Sequence, residues 1–317
     1  MDDPLDAFNL PLKLRRELLA EGWHDRAIAA RVASGDWARP RRGAYVDATP
    51  WRALDASGRH VVIARAVVRQ AQTEVALSHS SAVPFWEGPT WGLDLDVVHT
   101  TRRDGKTGRQ ESGVRQHRGR ILDGDITIRH GHEVMSAART ALEVTTVAST
   151  EAALVVMNDF LHRGLTTPAA IRARYELSME QWPNSRATDI VIRLADPRPE
   201  SVFESRFVYF CFCAGLPAPV PQYEVRTPDG HLVAVLDFAW PELGAYVETN
   251  GKAKYAALLT PGQSAGDVIG RERRREEVVH DLTSFRALHL EWPDLDHPRL
   301  TEQRLRNHLW PVNASAS

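Results

Sequence analysis

The order of apolar segments after residue 200 constrains the fold of this 317-residue sequence more than any other feature. The stretch SVFESRFVYFCFCAGL at 201–216 predicts a helix, because Phe203, Phe207 and Phe210 recur at helical spacing on one face. Three apolar strands follow in PAPVPQYEV, HLVAVLDFAWPE and GAYVETNG, and after them come an Arg- and Glu-rich helix, a strand in FRALHLEW and a last helix. Helices bury one face against a sheet, so this order predicts an α/β sandwich.

A proline-rich segment, ADPRPES at 195–201, separates this pattern from the rest of the chain. Pro197 and Pro199 disfavour a helix because proline lacks a backbone N–H, and Ser201 is a residue type that caps the next helix. The chain is long enough for two or three domains. We therefore expect an α/β protein of several domains, with a C-terminal α/β sandwich over 197–317.

The N-terminal region carries a local positive charge. Residues 8–33 predict two short helices, and WARPRRGAYV then predicts a basic turn and a strand, an order typical of a winged helix-turn-helix over residues 1–50. The chain has a formal net charge of −2, whereas residues 11–46 hold eight Lys/Arg and four Asp/Glu. Such a patch suits DNA phosphates, and the alternative is a solvated basic turn on a helical capping domain. The candidate DNA-binding residues are Arg39, Arg41 and Arg42.

Residues 51–196 predict a mixed α/β middle domain. A Val- and Ala-rich pattern predicts one helix over 59–77, LDLDVVHT predicts a strand, and helical patterns dominate from about residue 138 to 194. No apolar run reaches about 18 residues and the acidic N-terminus has no signal pattern, so we expect a cytoplasmic protein without a membrane segment. The sequence has no Walker loop and no dinucleotide-binding glycine pattern, which excludes the ATPase and dehydrogenase classes.

Two carboxylates occupy apolar strands of the C-terminal domain. Asp237 lies within VAVLDFAW, and Glu248 follows eleven residues later in AYVETNG. The short turn PELG would bring them side by side on antiparallel strands, where like charges repel unless a cation lies between them. Oxygen ligands in this arrangement suit Mg²⁺ or Mn²⁺, and Glu204 on the preceding helix is a third candidate ligand. The alternative is a structural ion-pair cluster with the arginines of 271–275.

Lysine is rare in this chain, and two of its four lysines lie close to the acidic pair in the sequence. The four lysines are Lys13, Lys106, Lys252 and Lys254, and the last two fall within six residues of Glu248. Phosphodiester hydrolysis requires a cation that stabilises transition-state charge, and a nearby ammonium group assists it. Lys252 and Lys254 are therefore the candidate catalytic residues, either of which would steady the attacking water or the scissile phosphate.

The cysteines and histidines give weaker indications of function. Cys211 and Cys213 are badly placed to form a disulfide with each other, and two cysteines alone cannot form a zinc site. His79 in LSHSSAV is expected to cap a helix or line an interface. His130 and His132 are expected to share one face of a strand as surface polar groups.

The segment at about 200–310 resembles the PD-(D/E)XK nuclease superfamily, particularly very-short-patch-repair-like endonuclease domains. The resemblance is carried by SVFESRF, QYEV, LDFAWPE, YVETNGKAKY, RERRREE and FRALHLEW. It implies a restriction-endonuclease-like fold in which Asp237 and Glu248 hold the metal and Glu204 is an accessory acid. The superfamily motif places a lysine two residues after the second acid, and this chain has Asn250 there.

The preceding part of the chain resembles AbiEi-type antitoxins of type IV toxin–antitoxin systems, through WARPRRGAYV, LSHSSAV and SAARTALEV. This resemblance implies DNA binding and transcriptional autoregulation beside a nucleotidyltransferase toxin. The leading hypothesis is a cytoplasmic protein that binds double-stranded DNA and hydrolyses it with Mg²⁺ or Mn²⁺, in defence or in a toxin–antitoxin context. The alternative is a non-catalytic AbiEi-type antitoxin or repressor, linked genetically to a toxin protein, with a degenerate nuclease fold. Asn250 favours this alternative, whereas the acids and the lysine pair favour the enzyme.

Overall fold

The computed structural model describes residues 6–106, 108, 110–111, 113–178, 185–250 and 265–311. Contacts divide the chain into two compact units, Met1–Arg193 and Leu194–Ser317. Both units combine helices with β-sheet, which confirms the α/β class predicted from the sequence. Among the helices of these ranges, none is both long and apolar enough to pass through a membrane.

The first unit contains two separate sheets within the described residues. Its strands are β1 (Lys13–Leu14), β2 (Trp37–Arg41), β3 (Ala44–Asp47), β4 (Val75–Leu77), β5 (Val98–Arg102), β6 (Gln110–Glu111), β7 (Val114–His117), β8 (Ile126–Arg129) and β9 (His132–Met135). Its helices are α1 (Arg15–Ala20), α2 (Asp25–Ala33), α3 (Ala48–Ala53), α4 (Ala56–Gln70), α5 (Ala137–Val144), α6 (Thr150–His162), α7 (Pro168–Ser178) and α8 (Ser185–Leu194). The small sheet is antiparallel with the order β1-β3-β2. The large sheet has the order β6-β7-β5-β4-β9-β8, in which β5–β7 and β4–β9 are parallel pairs.

The first of the two short helices predicted within residues 8–33 begins only after a short strand. Leu14 is extended and pairs with β3, so the helix begins at Arg15. Leu14 is 1% exposed, and the Glu17 carboxylate accepts a hydrogen bond from its backbone N–H at 2.9 Å. Burial in a sheet therefore outweighs the helix propensity of this leucine. The second of these helices follows His24, and the ring Nδ1 of His24 accepts a hydrogen bond from the N–H of Ala27.

The prediction of one long helix over 59–77 is wrong for the last third of that range. Helix α4 ends at Gln70, and Val75–Leu77 forms strand β4 in the interior of the large sheet. Ala71 has an extended backbone, which ends the helix, and all three residues of β4 are buried. A strand buried on both faces shows no alternation, so periodicity cannot separate it from the helix before it. The strand predicted in LDLDVVHT likewise begins only at Val98.

One apolar cluster joins the N-terminal segment to the rest of the first unit. It contains Leu14 and Val46 of the small sheet together with Val62 of α4 and Val98 of β5, each at most 2% exposed. The cluster continues past residue 50, so the N-terminal elements share a core with those that follow. A separate winged helix-turn-helix over 1–50 stays a prediction.

The second unit has the element order expected from the sequence. Its elements are α9 (Val202–Cys213), β10 (Val220–Arg226), β11 (Leu232–Trp240), β12 (Ala245–Asn250), α10 (Ala265–Thr283), β13 (Arg286–Glu291) and α11 (Pro298–Leu309). Strands β10, β11 and β12 pair antiparallel in that order, and β13 joins β12 in parallel. The Ser201 hydroxyl accepts a hydrogen bond from the N–H of Glu204 at 3.1 Å, which confirms the predicted helix cap.

Two apolar clusters cover the two faces of this sheet. One packs Phe207 of α9 with Val247 of β12. The other packs Val279 of α10 with Tyr246. Successive residues of a strand point to opposite faces, so Glu248 shares the α10 face with Tyr246.

Candidate functional site

The predicted acidic pair lies where the β11–β12 ladder ends. Phe238 pairs with Val247 at this end, and Asp237 and Glu248 are the next residues on the two strands. Asp237 is 5% exposed, and its Oδ2 accepts hydrogen bonds from the N–H and the Oγ1 of Thr249, each at 2.7 Å. The Asp237 carboxylate therefore connects β11 to β12 by side-chain hydrogen bonds at the point where the backbone ladder ends.

Glu204 lies in the first turn of α9 and is 2% exposed. Its carboxylate accepts hydrogen bonds from the hydroxyl of Ser201 at 2.8 Å, the N–H of Glu200 at 2.9 Å and the amide of Gln222 at 3.0 Å. Burial raises the pKa of Glu204, and the charge of Asp237 raises it further, against these hydrogen bonds. Glu204 and Asp237 therefore lie close enough for their charges to interact.

Glu248 is held by an ion pair. The Nη2 of Arg275 on α10 lies 3.2 Å from Glu248 Oε1, and it also donates to the carbonyl oxygen of Val235. His289 stands opposite Glu248 on β13, and its Nε2 is 2.7 Å from an oxygen of Glu276. For Glu248 this is the ion pairing that the sequence left open as the alternative to a metal.

The three carboxylates suit a hard divalent cation by their chemistry, but they do not converge. Within the described ranges, one group of three His, Cys, Asp or Glu side chains has its ligand atoms within 4.8 Å of one another, and these acids are not in it. Magnesium takes oxygen ligands at about 2.0–2.1 Å, so the acids would have to close in and Glu248 would have to leave Arg275. Lys252 and Lys254 lie outside the described residues.

The three predicted DNA-binding arginines lie on one hairpin, formed by β2 and β3. Arg39 and Arg42 are exposed and Arg41 is half-buried. Gly43 at the turn has a φ of +76°, a conformation that glycine adopts without strain. The carbonyl oxygen of Arg42 accepts a hydrogen bond from the side chain of Gln70 at 3.1 Å, which ties the hairpin to α4.

Three histidines that the sequence did not group lie together in the first unit. His79 follows β4, His99 lies in β5 and His117 ends β7; we call these three the histidine cluster. The parallel register of β5 and β7 pairs Thr101 with His117 and His99 with Arg115, so these four side chains share one face of the large sheet. The end of β4, next to β5 in the sheet, adds His79.

The rings of the histidine cluster contact one another directly. The Nδ1 of His99 lies 2.8 Å from the Nε2 of His117, and the His79 ring stacks on that of His117 with centroids 3.6 Å apart. His79 has a φ of +53°, in the left-handed region, and its N–H donates to Glu143 at 3.2 Å. Its Nδ1 is 3.0 Å from the hydroxyl of Ser78. Residues with such a strained backbone conformation cluster at functional sites, so the turn at His79 is a candidate for one.

A buried ion network backs the cluster. Glu143 on α5 accepts from the Nε of Arg139 at 2.7 Å, and both side chains are 0% exposed. Arg139 also donates to Asp125 at 2.6 Å, and Arg174 of α7 donates to the same carboxylate at 2.6 Å. Two arginines thus alternate with two acids, which compensates the buried charges.

The histidine cluster is uncharged at neutral pH. Burial lowers the pKa of His79 well below its usual value, that of His99 to about 4 and that of His117 to about 2. The charge of Arg115 lowers all three of these pKa values as well. Each neutral ring has one nitrogen that donates and one that accepts a hydrogen bond.

Neutral imidazoles are common metal ligands, yet the ring geometry does not fit a shared ion. The three histidines have ligand nitrogens within 4.8 Å of one another. A metal bonds along the lone pair in the plane of each ring, and the planes of His79 and His117 are 17° apart and stacked. Their lone pairs therefore do not meet at one point. As it stands, the histidine cluster is a hydrogen-bonded stack.

No local spacing pattern marked the histidine cluster, because its members lie on strands that meet only in the folded sheet.

His130 and His132, expected on one face of a strand, do not lie on one strand in the structure. His130 lies in the turn between β8 and β9 with a φ of +47°, and His132 begins β9. The Gly between them is part of that turn rather than of a strand.

No protein-family model matches this chain, and none of the curated proteins matches it.

Proposed function

We propose that this protein binds double-stranded DNA and that its second unit hydrolyses phosphodiester bonds with Mg²⁺ or Mn²⁺. The observation that carries the proposal is the position of Asp237 and Glu248 on adjacent strands, with Glu204 on the first helix of the same unit. The order helix, three antiparallel strands, helix, parallel strand and helix supports a PD-(D/E)XK, restriction-endonuclease-like domain over 197–317.

The three acids would hold the cation only after they close in and Glu248 leaves Arg275, and the cation would then supply stabilisation of transition-state charge. Two hydrogen bonds from Thr249 hold the Asp237 carboxylate in one orientation, so one ligand is already fixed. The raised pKa of Glu204 means that this group holds a proton more readily than a free glutamate does. Ligation requires its ionised form, so a cation and a proton compete for Glu204 as the pH falls.

The hairpin arginines supply the proposed DNA contacts. Guanidinium groups on an exposed turn bind phosphates without reading bases, so affinity should fall steeply as salt rises. On this proposal, DNA binding belongs to a winged helix-turn-helix over 1–50, which an antitoxin-like domain over 51–196 follows. Removing Arg39, Arg41 and Arg42 together should weaken DNA binding and flatten its salt dependence.

A non-catalytic function is the second candidate, and one specific observation favours it. The ion pair of Arg275 with Glu248 offsets the charge that would attract a cation. Asn250 also stands where the superfamily motif has lysine. On this alternative the protein is an AbiEi-type antitoxin or repressor with a toxin partner, and its second unit serves DNA recognition or dimerisation.

Cleavage of supercoiled plasmid and linear DNA by the full chain, with Mg²⁺ or Mn²⁺, separates the two candidates. Asp237→Ala and Glu248→Gln should each slow cleavage by at least about 100-fold. Lys252→Ala and Lys254→Ala test which lysine takes part. Glu242→Gln, in the exposed turn between β11 and β12, removes one carboxylate outside the site and should cleave like wild type. DNA that stays intact with every protein but shifts in a gel with EDTA would contradict catalysis and support the alternative.

A further inference from the structure

A cavity of about 250 Å³ opens beside the histidine cluster in the first unit. Its inner wall is buried, whereas two arginines at its mouth are exposed, so it leads from the surface to the buried ion network. The side chains that line the cavity include those of Thr101, Arg115, His117, Arg118, Arg139 and Glu143.

The lining of this cavity has surplus positive charge. Three guanidinium groups line it with one carboxylate, and the histidines are uncharged at neutral pH. Arg139 is already balanced by Glu143 and Asp125. Arg115 and Arg118 therefore supply the surplus, and a planar guanidinium matches phosphate oxygens in a bidentate geometry.

A buried hydroxyl gives an independent sign of a polar ligand. Thr101 lines the cavity and is 1% exposed, and within the described residues its Oγ1 has no hydrogen-bond partner. Buried hydroxyl groups in folded proteins nearly always have such a partner. Thr101 stands beside His117 in the β5–β7 register, so one ligand can reach both side chains.

We propose that this cavity binds the phosphate group of a phosphate monoester, with Arg115 and Arg118 as charged contacts and Thr101 and His117 as neutral donors. Two surplus guanidinium groups match a phosphate dianion, whereas a single carboxylate would leave one of them uncompensated. The site lies wholly within the first unit. It is additional to the proposed nuclease function and does not depend on it.

Binding of a dianion is coupled to protonation of the histidine cluster. Arg115 lowers the pKa of all three rings, and a dianion bound to Arg115 opposes that effect. Anion affinity should therefore rise as the pH falls, and sulfate is the suitable probe because it stays a dianion throughout. The charged and titratable groups that face the cluster are Arg115 on β7, Arg118 after it, Arg139 and Glu143 on α5, His60 on α4 and Asp94 before β5.

Calorimetric titration of the full chain with inorganic phosphate at low ionic strength tests the site. Arg115→Gln and Arg118→Gln should each weaken binding about tenfold, because each removes a charged hydrogen bond. The nearly isosteric Thr101→Val should weaken it about threefold. Arg172→Gln makes the same charge change on exposed α7, outside the cavity, and should bind like wild type. A lack of saturable binding, or equal weakening by Arg172→Gln, overturns the proposal.

A second titration identifies the source of the phosphate group. One oligonucleotide is compared with a 5′-phosphate and with a 5′-hydroxyl, in the presence and absence of inorganic phosphate. A preference for the 5′-phosphate that Arg115→Gln removes supports a nucleic-acid end as ligand. Binding of inorganic phosphate that Arg115→Gln weakens, without any such preference, supports a small phosphate. Phosphate binding that Arg115→Gln and Arg118→Gln both leave unchanged overturns the site.

Discussion

The two units balance buried charge in different ways. In the second unit, Asp237 and Glu248 stand on neighbouring strands, and each is held separately, by Thr249 and by Arg275. In the first unit, an arginine–acid network backs histidines that burial and Arg115 keep neutral. The proposed cation site therefore depends on acids that have other partners, whereas the proposed anion site depends on guanidinium groups that exceed the acids around them.

On both proposals, the sign of the surplus charge, rather than the residue types alone, decides which ligand each site is expected to bind. Histidines are the usual ligands of transition metals, yet here the exposed arginines beside them repel cations. Carboxylates at strand ends are ordinary ion-pair partners, yet Asp237 takes its two short hydrogen bonds from a neutral threonine.

The largest expected effect is on the stability of the first unit. Arg139→Ala leaves Glu143 and Asp125 buried without their shared partner, which should lower the free energy of unfolding by about 3–5 kcal/mol. Arg163→Ala removes a partly exposed i,i+4 pair and should cost less than about 1 kcal/mol. Urea unfolding of the two variants measures the difference. Equal losses of unfolding free energy in the two variants would show that the buried network stabilises the first unit no more than the partly exposed pair does.

The histidine cluster should make the first unit sensitive to acid. A His99 pKa of about 4, below the unfolded value of 6.5, means that the unfolded state binds more protons between these pH values. Stability is then full above pH 6.5 and is lost as pH falls towards 4, by up to roughly 3 kcal/mol. Hydrogen exchange of β5 measures this slope. His99→Gln should flatten it and the exposed His231→Gln should not; a slope unchanged in His99→Gln contradicts the prediction.

Removal of the Arg275 side-chain charge should strengthen cation binding in the second unit. Arg275→Gln frees Glu248 from its ion pair and removes a competing positive charge, so Mn²⁺ affinity should rise about tenfold. Arg273→Gln, exposed on the same helix, is the matched control. Titration with Mn²⁺ followed by electron paramagnetic resonance measures both variants. If both leave the affinity unchanged, Glu248 is not a ligand.

The smallest expected effect is that of zinc on the first unit. The stacked rings of His79 and His117 do not direct their lone pairs to one point, so Zn²⁺ should bind no more tightly to wild type than to His117→Gln. Calorimetry with Zn²⁺ measures the two proteins. Stoichiometric binding that His117→Gln abolishes would show that the rings rearrange around a metal.

Local patterns in the sequence predict which strands one short turn joins, but they do not predict contacts that depend on the order of strands in the sheet. Asp237 and Glu248 flank a single hairpin, and Ser201 caps the helix that follows a proline-rich linker, so all three were placed from local patterns. The histidine cluster needs the order β7-β5-β4, which joins strands that are not consecutive in the chain. Strand β4 itself is too short and too buried to show a period. The pairing of Arg275 with Glu248 likewise depends on how α10 crosses the sheet.

The most direct test of the central claim is the number of Mn²⁺ ions that the second unit binds in the full chain. Electron paramagnetic resonance on wild type, Asp237→Asn and Glu242→Gln measures it. The acidic site predicts bound Mn²⁺ in wild type and Glu242→Gln and its loss in Asp237→Asn. Equal binding by all three proteins, or none by wild type, would contradict a cation site between Asp237 and Glu248.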